Sequence, residues 1–165
     1  MAATYEPLQR YLLRRADPAT ADDVLGDVLL VLWRRLGDVP ADAALPWAYG
    51  VARGCLANHR RSAVRQERVV LRLAHEDRPG DAEPLDGALD EALQALPEAD
   101  RELLRLWAWE QLGPSEIALT LGVSANAVSI RLHRAKQKLK EVLLARKDGD
   151  DAGHTGVREG GGTTR

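Results

Sequence analysis

The side chains best placed to do chemistry in this chain are cations and small polar groups at helical spacing. Asn126, Ser129, Arg131, His133, Arg134 and Lys138 project away from the inward-facing positions of the single run SANAVSIRLHRAKQK. Their hydroxyl, amide and guanidinium groups suit base edges, and the later cations suit phosphate oxygens. A second set is the basic cluster Arg53, Arg60, Arg61, Arg65, Arg68 and Arg72, with Glu67 as its only acid. Such a run could be a merely solvated face. Arginines with so few acids beside them on one helix fit phosphate contact better. His133 reads as a solvated surface histidine.

The elements that must hold the first set are two short helices and a tight turn. In GPSEIALTLGVSANAVSIRLHRAKQK, Pro114 suits the first position of a helix, where a missing N–H costs nothing. Ser115 or Ser124 can cap a helix through its side-chain oxygen. Ile117, Ala118 and Leu121 share one face, Gly122 permits a sharp turn, and Val123 plugs the angle between the helices. From Ala125 onward, Val128, Leu132, Ala135 and Leu139 point inward at steps of four, three and four. This is a helix-turn-helix pattern, whose second helix can lie in a DNA major groove.

Composition narrows the rest. The chain has 165 residues, 45% of them hydrophobic, with no phenylalanine, so Leu, Ala and Val must do the packing and helices are favoured over sheets. The net charge of −2 conceals two basic clusters. The second runs through Arg131, Arg134, Lys136, Lys138, Lys140, Arg146 and Lys147. Between them lie Glu76, Asp77, Asp81, Glu83, Asp86, Asp90 and Glu91. Two phosphate-facing modules separated by an acidic segment follow. The single cysteine, Cys55, excludes an intrachain disulfide and reads as a small packing residue. No metal-ligand spacing, phosphate-cradling glycine loop or nucleophile–base pair points to catalysis or to a cofactor. Asp22, Asp23 and Asp27 are scattered helix acids that face solvent or a basic partner. No signal-peptide pattern opens the chain, and Val28 to Trp33 is too short to span a bilayer, so a cytoplasmic protein without membrane insertion is expected.

The expected fold is all-α: two small helical domains joined by an acidic flexible linker, with a disordered C-terminal tail. The first domain is residues 1–74. Its helices run from Tyr5 to Ala16, from Asp22 or its neighbours to Leu36, and from Trp47 to about Leu73. In the first, Leu8, Tyr11, Leu12 and Arg15 recur at helical spacing. The second carries two apolar stripes, Val24, Val28, Val31 and Leu32 beside Leu25, Leu29, Trp33 and Leu36. It must bury two faces, or bury one and offer the other to a partner. In the third, Trp47, Val51, Cys55 and Leu56 face inward, although Trp47 could also stack on a base; Tyr49 is ambiguous. Residues 75–85 form the linker and 86–145 the second domain, with helices Leu85 to Leu96 and Glu98 to Gln111 before the helix-turn-helix. Leu103, Leu104, Leu106, Trp107 and Leu112 are available for its core. Residues 146–165 are the tail. The relative orientation of the domains is expected to be unfixed without a partner.

At this point the residues resemble a known family. LQALPEADRELLRLWAWEQLGPSEIALTLGVSANAVSIRLHRAKQKLKEVL looks like region 4 of the extracytoplasmic-function (ECF) sigma factors of bacterial RNA polymerase. Leu96-Pro97-Glu98, Glu116-Ile117-Ala118, Leu121-Gly122-Val123-Ser124 and Arg131-Leu132-x-Arg134-Ala135 carry the match. YLLRRADPATADDVLGDVLLVLWRRL followed by PWAYGVARGCLANHRR looks like region 2. The resemblance implies a subunit that directs promoter-specific initiation and binds core RNA polymerase and promoter DNA. Region 2 of such factors docks its second helix on polymerase, which implicates Asp22, Asp23, Leu25, Asp27, Leu29, Leu32 and Trp33. Its third helix melts and reads the −10 element, implicating Asn58, Arg60, Arg61 and Arg65. Region 4 reads the −35 duplex, implicating Ser124, Asn126, Ala127, Ser129, Arg131, Arg134 and Lys138. An anti-sigma factor that clamps both regions is a further partner common in the family. The chain departs from the family pattern at Gly26, usually glutamine, and at Ser129, often lysine. The first should weaken its helix by roughly 1 kcal/mol relative to alanine. The alternative reading is a helix-turn-helix regulator that binds DNA without serving as a polymerase subunit.

Overall fold

The computed structural model describes residues 2–70 and 87–153. All regular elements among them are helical: α1 (Ala2–Leu13), α2 (Pro18–Arg34), a 3-10 turn (Leu36–Asp38), α3 (Ala44–Val70), α4 (Gly87–Gln94), α5 (Glu98–Ala108), α6 (Pro114–Leu121) and α7 (Ala125–Gly153). The expected linker, residues 75–85, lies outside the described residues.

Local chemistry explains the boundaries. Asp17 caps α2, its carboxylate accepting from the Thr20 N–H at 3.0 Å, and Pro18 occupies the first turn. The helix therefore opens ahead of Asp22, because Asp–Pro acts here as a start signal. Hydrogen bonding from Thr20 holds the Asp17 carboxyl below its ordinary range. Pro46 lies within the first turn of α3, so this helix begins at Ala44, ahead of Trp47. Helix α5 ends at Ala108, and Gln111 takes a left-handed φ of 56° as the chain turns toward α6. Helix α7 continues to Gly153, so the expected disordered tail from residue 146 is helical for its first eight residues; residues 154–165 lie outside the described set.

Helices α1–α3 pack through Leu8, Tyr11 and Leu12, then Ala21, Val24, Leu25, Val28 and Leu32, then Ala48, Tyr49, Ala52 and Leu56. The inward face of α3 is thus centred on Ala48, Tyr49 and Ala52. Trp47, Val51 and Cys55 are only half-buried against it. Tyr49 stacks on Tyr11 with ring centroids 4.8 Å apart, which resolves it as a core residue. Burial pushes the Tyr49 hydroxyl up to about 12, and the nearby Glu110 carboxylate pushes the same way. Helices α4–α7 pack through Leu93, Leu103, Leu104, Leu106, Leu112, Ile117, Val128, Leu132 and Ala135. Trp107, expected in this core, stands exposed with the Lys136 Nζ 3.5 Å above its ring.

The two sets of helices do not sit apart. Their buried side chains form one continuous hydrophobic cluster, with α3 lying on α6. The Thr120 hydroxyl on α6 donates to the Pro46 carbonyl on α3 at 3.0 Å. Gly50 lets the backbones approach closely; a Cβ there would stand 3.2 Å from the Thr120 carbonyl oxygen. The expectation of an unfixed orientation is therefore corrected: small residues on α3 allow a backbone-to-backbone contact that periodicity alone does not reveal.

Candidate nucleic-acid interface

The helix-turn-helix is built from its caps inward. The Gly113 N–H donates to Glu116 Oε2 at 2.8 Å and Pro114 occupies the first turn, fixing the start of α6. Gly122 ends that helix at φ 68°, a conformation that costs an L side chain free energy. Ser124, rather than Ser115, supplies the serine cap: its Oγ accepts from the Ala127 N–H at 3.2 Å at the start of α7. Val123 is exposed and does not fill the inter-helix angle, whereas Ile117 on α6 and Val128 on α7 are both fully buried.

Burial of Val128, Leu132 and Ala135 fixes the rotation of α7. Asn126, Ser129, Arg131 and Arg134 are then exposed, and Ala127 is half-buried. Ser129 Oγ donates to its own helix, at the Ala125 carbonyl 3.0 Å away. Arg131 and Arg134 have no ion-pair partner among the described residues, whereas Lys138 pairs with Asp100 of α5 at 2.5 Å. Helix α7 also reaches α4 through the Arg146–Glu91 pair.

On α3, Asn58, Arg60, Arg61 and Arg65 are all exposed. Asn58 Oδ1 accepts from Arg61 Nη2 at 2.5 Å, and Arg65 Nε donates to the Arg61 carbonyl at 3.4 Å, so these three form one polar strip. Arg60 behaves differently. Its Nη2 donates to the Arg15 carbonyl at 2.9 Å and its Nη1 lies 3.7 Å from Glu98. Trp47 carries the Arg35 guanidinium 5.2 Å from its ring centroid.

The α2 candidates divide. Asp22, Asp23 and Asp27 are exposed, Trp33 is 67% exposed and Leu29 is half-buried. Leu25 and Leu32 are buried in the core, because the helix turns both toward α1 and α3. The exposed apolar strip instead includes Leu30 at 55% and Leu36 at 48%. Leu30 was missed because it belongs to neither stripe of the apolar pattern. Gly26 also faces outward, with nothing within 4 Å of where a Cβ would stand.

Arg15 is the other residue whose importance was missed. Its place in register with Leu8, Tyr11 and Leu12 was the available signal, since a cation in an apolar stripe needs a buried partner. Its side chain is 4% exposed. Nε donates to both Glu102 oxygens at 3.1 Å, and Nη1 donates to Glu110 Oε1 at 3.0 Å and to the Tyr11 carbonyl at 2.9 Å. Burial opposes its charge, but the Glu102 and Glu110 carboxylates outweigh this and raise its pKa.

Comparison with known proteins places this arrangement. The family model described as Sigma-70, region 4 matches residues 86–139. The ECF RNA polymerase sigma factor SigF of Caulobacter vibrioides is 34% identical over 151 residues, covering 86% of this chain and 82% of that protein. RNA polymerase sigma factor CarQ of Myxococcus xanthus is 32% identical over 147 residues, with 82% of each covered. A probable RNA polymerase sigma factor, RfaY of Xanthomonas campestris, is 32% identical over 145 residues; the match spans only 36% of its length. Among solved structures, the sigma factor RpoE in complex with the anti-sigma factor NepR from Bartonella quintana aligns with a TM-score of 0.66 at 19% identity, covering 86% of this chain and 92% of that one. CnrH in complex with the cytosolic domain of CnrY aligns at 0.55 and 22% identity, covering 87% and 82%.

Proposed function

The chain belongs to the ECF sigma factors of bacterial RNA polymerase, and from that premise we propose how its surfaces divide the work of initiation. The exposed strip of α2 docks on core polymerase, with Leu30, Trp33 and Leu36 supplying apolar area and Asp22, Asp23 and Asp27 the complementary charge. The polar strip of α3, with Asn58, Arg61 and Arg65 and with Arg60 once released, holds the opened −10 strand. Unstacking a base costs a few kcal/mol, which cationic contacts to the displaced strand must offset. The first turns of α7 enter the −35 major groove, where Asn126 and Ser129 reach base edges. Arg131, Arg134 and Lys138 hold phosphates.

The observation that carries this reading is the coexistence of a bare tryptophan strip on α2 with two separate cationic faces on α3 and α7. A regulator that only binds DNA needs one of those faces and no apolar strip. An anti-sigma factor, of the kind seen bound to the structural relatives, is the matching antagonist. Run-off transcription with purified core polymerase and a pool of randomised promoters tests the proposal. Promoter-dependent transcripts are expected. Failure to bind core, with DNA binding retained, would instead establish the helix-turn-helix regulator.

A further inference from the structure

We propose that Ile130 reads the C5-methyl group of a thymine in the −35 duplex, an inference that rests on the assignment of α7 to that groove. Ile130 is 46% exposed and lies outside both the hydrophobic cluster and the side chains packed against it. A lone exposed aliphatic residue is ordinary on a protein surface. This one is set apart by its position. Val128, Leu132, Ala135 and Leu139 define the inward side of α7. At about 100° per residue, Ile130 lies about 170° around the axis from the middle of that side, so it is the outermost point of the helix. Ser129 and Arg131 are displaced to the two flanks, roughly 90° and 70° from the inward side.

Its neighbours decide what can cover it. One turn before Ile130 stand Asn126, exposed, and Ala127, half-buried; one turn after it stand His133 and Arg134, both exposed. Ile130 is thus an apolar centre within a polar and cationic rim. Arg131 and Arg134 make no ion pair among the described residues, so the rim favours a polyanion as occupant. In a major groove the apolar feature of the base edges is the thymine methyl, against which an aliphatic side chain packs.

The local chemistry suits that contact. The small Ala127 side chain leaves room for a base edge to approach. Branching at Cβ holds Ile130 to one strongly preferred χ1 rotamer in a helix, so little side-chain freedom is lost when the methyl is covered. The Ser129 hydroxyl already donates to the Ala125 carbonyl at 3.0 Å, which leaves it only acceptor capacity toward a base. A cytosine or a purine opposite Ile130 would lose water from its polar edge to a side chain that cannot replace it. The contact therefore selects against other bases as well as for thymine.

Holoenzymes assembled from core polymerase and the full-length chain test this. Wild type, Ile130→Ala and Arg131→Ala each select from a pool of promoters randomised at −35. Binding to the wild-type selection is then measured with single thymines replaced by deoxyuridine, which lacks only the methyl. Wild type should select at least one thymine whose replacement weakens binding about fourfold, the worth of one buried methyl group. Ile130→Ala should be indifferent to that replacement and should relax selection at that position. Arg131→Ala should bind more weakly overall yet keep the methyl sensitivity. Ile130 is exposed, so thermal melting of Ile130→Ala should match wild type. A selected element with no methyl-sensitive thymine, or a folded Ile130→Ala protein as methyl-sensitive as wild type, overturns the proposal. If no holoenzyme binds a promoter, the sigma-factor reading falls instead, and the same selection with the free chain decides the role of Ile130.

Discussion

Replacing Trp33 by alanine tests the docking strip most directly. The side chain is 67% exposed in the free chain. A tryptophan carries up to about 250 Å² of buriable surface, so roughly 165 Å² is still open to a partner. At about 25 cal/mol per Å² that area corresponds to about 4 kcal/mol if wholly covered. Half coverage gives about 2 kcal/mol, or roughly a 30-fold loss in Kd. The buried third, about 80 Å², limits the loss of folding stability to about 2 kcal/mol. A fluorescently labelled chain titrated with core polymerase and followed by anisotropy measures the first quantity, and thermal melting the second. Leu32→Ala is the internal comparison: Leu32 is buried in the core, so its truncation should lower melting by more and affinity by less. A Trp33→Ala protein that melts nearly normally yet binds core unchanged would refute the assignment of this strip.

Other expectations follow from single contacts. Arg131→Ala should weaken promoter binding across sequences and lower the slope of log affinity against log salt by about 1, with core binding intact, as read by gel shift at several salt concentrations. Leu106→Ala, at a fully buried site on α5, should cost roughly 2–5 kcal/mol and lower the melting temperature by on the order of 10 °C in calorimetry. Asp17 has a folded-state pKa below its unfolded value, so its contribution is fully present above about pH 4 and is lost as pH falls through the folded value. Thermal melts between pH 5 and 2 should show a smaller acid-induced loss in Asp17→Asn than in wild type.

The helices were legible because Leu, Val and Ala recur at helical spacing, and the turn because Gly122 sits where only a left-handed residue fits. Asn126, Arg131 and Arg134 were legible for the same reason: once Val128, Leu132 and Ala135 are inside, they must be outside. Leu25 and Leu32 were harder, since a helix apolar around much of its girth does not declare which stripe α1 and α3 cover. The union of the two halves was not legible at all. It depends on a glycine, a threonine hydroxyl and an arginine with two carboxylates about 90 residues away, and such pairings follow from tertiary packing, not from local pattern.

The carboxylates of α5 also bear on how this chain responds to salt. Lys138 already faces Asp100, and Arg60 lies beside Glu98. When either cation transfers to a phosphate, a condensed counterion leaves the DNA, but the abandoned carboxylate recruits one back. The net ion release is then smaller than the number of phosphate contacts. Arg131, with no carboxylate partner among the described residues, carries its full share. Lys138→Ala should therefore reduce the salt slope by less than Arg131→Ala does, and promoter binding should withstand rising ionic strength better than the tally of basic residues implies.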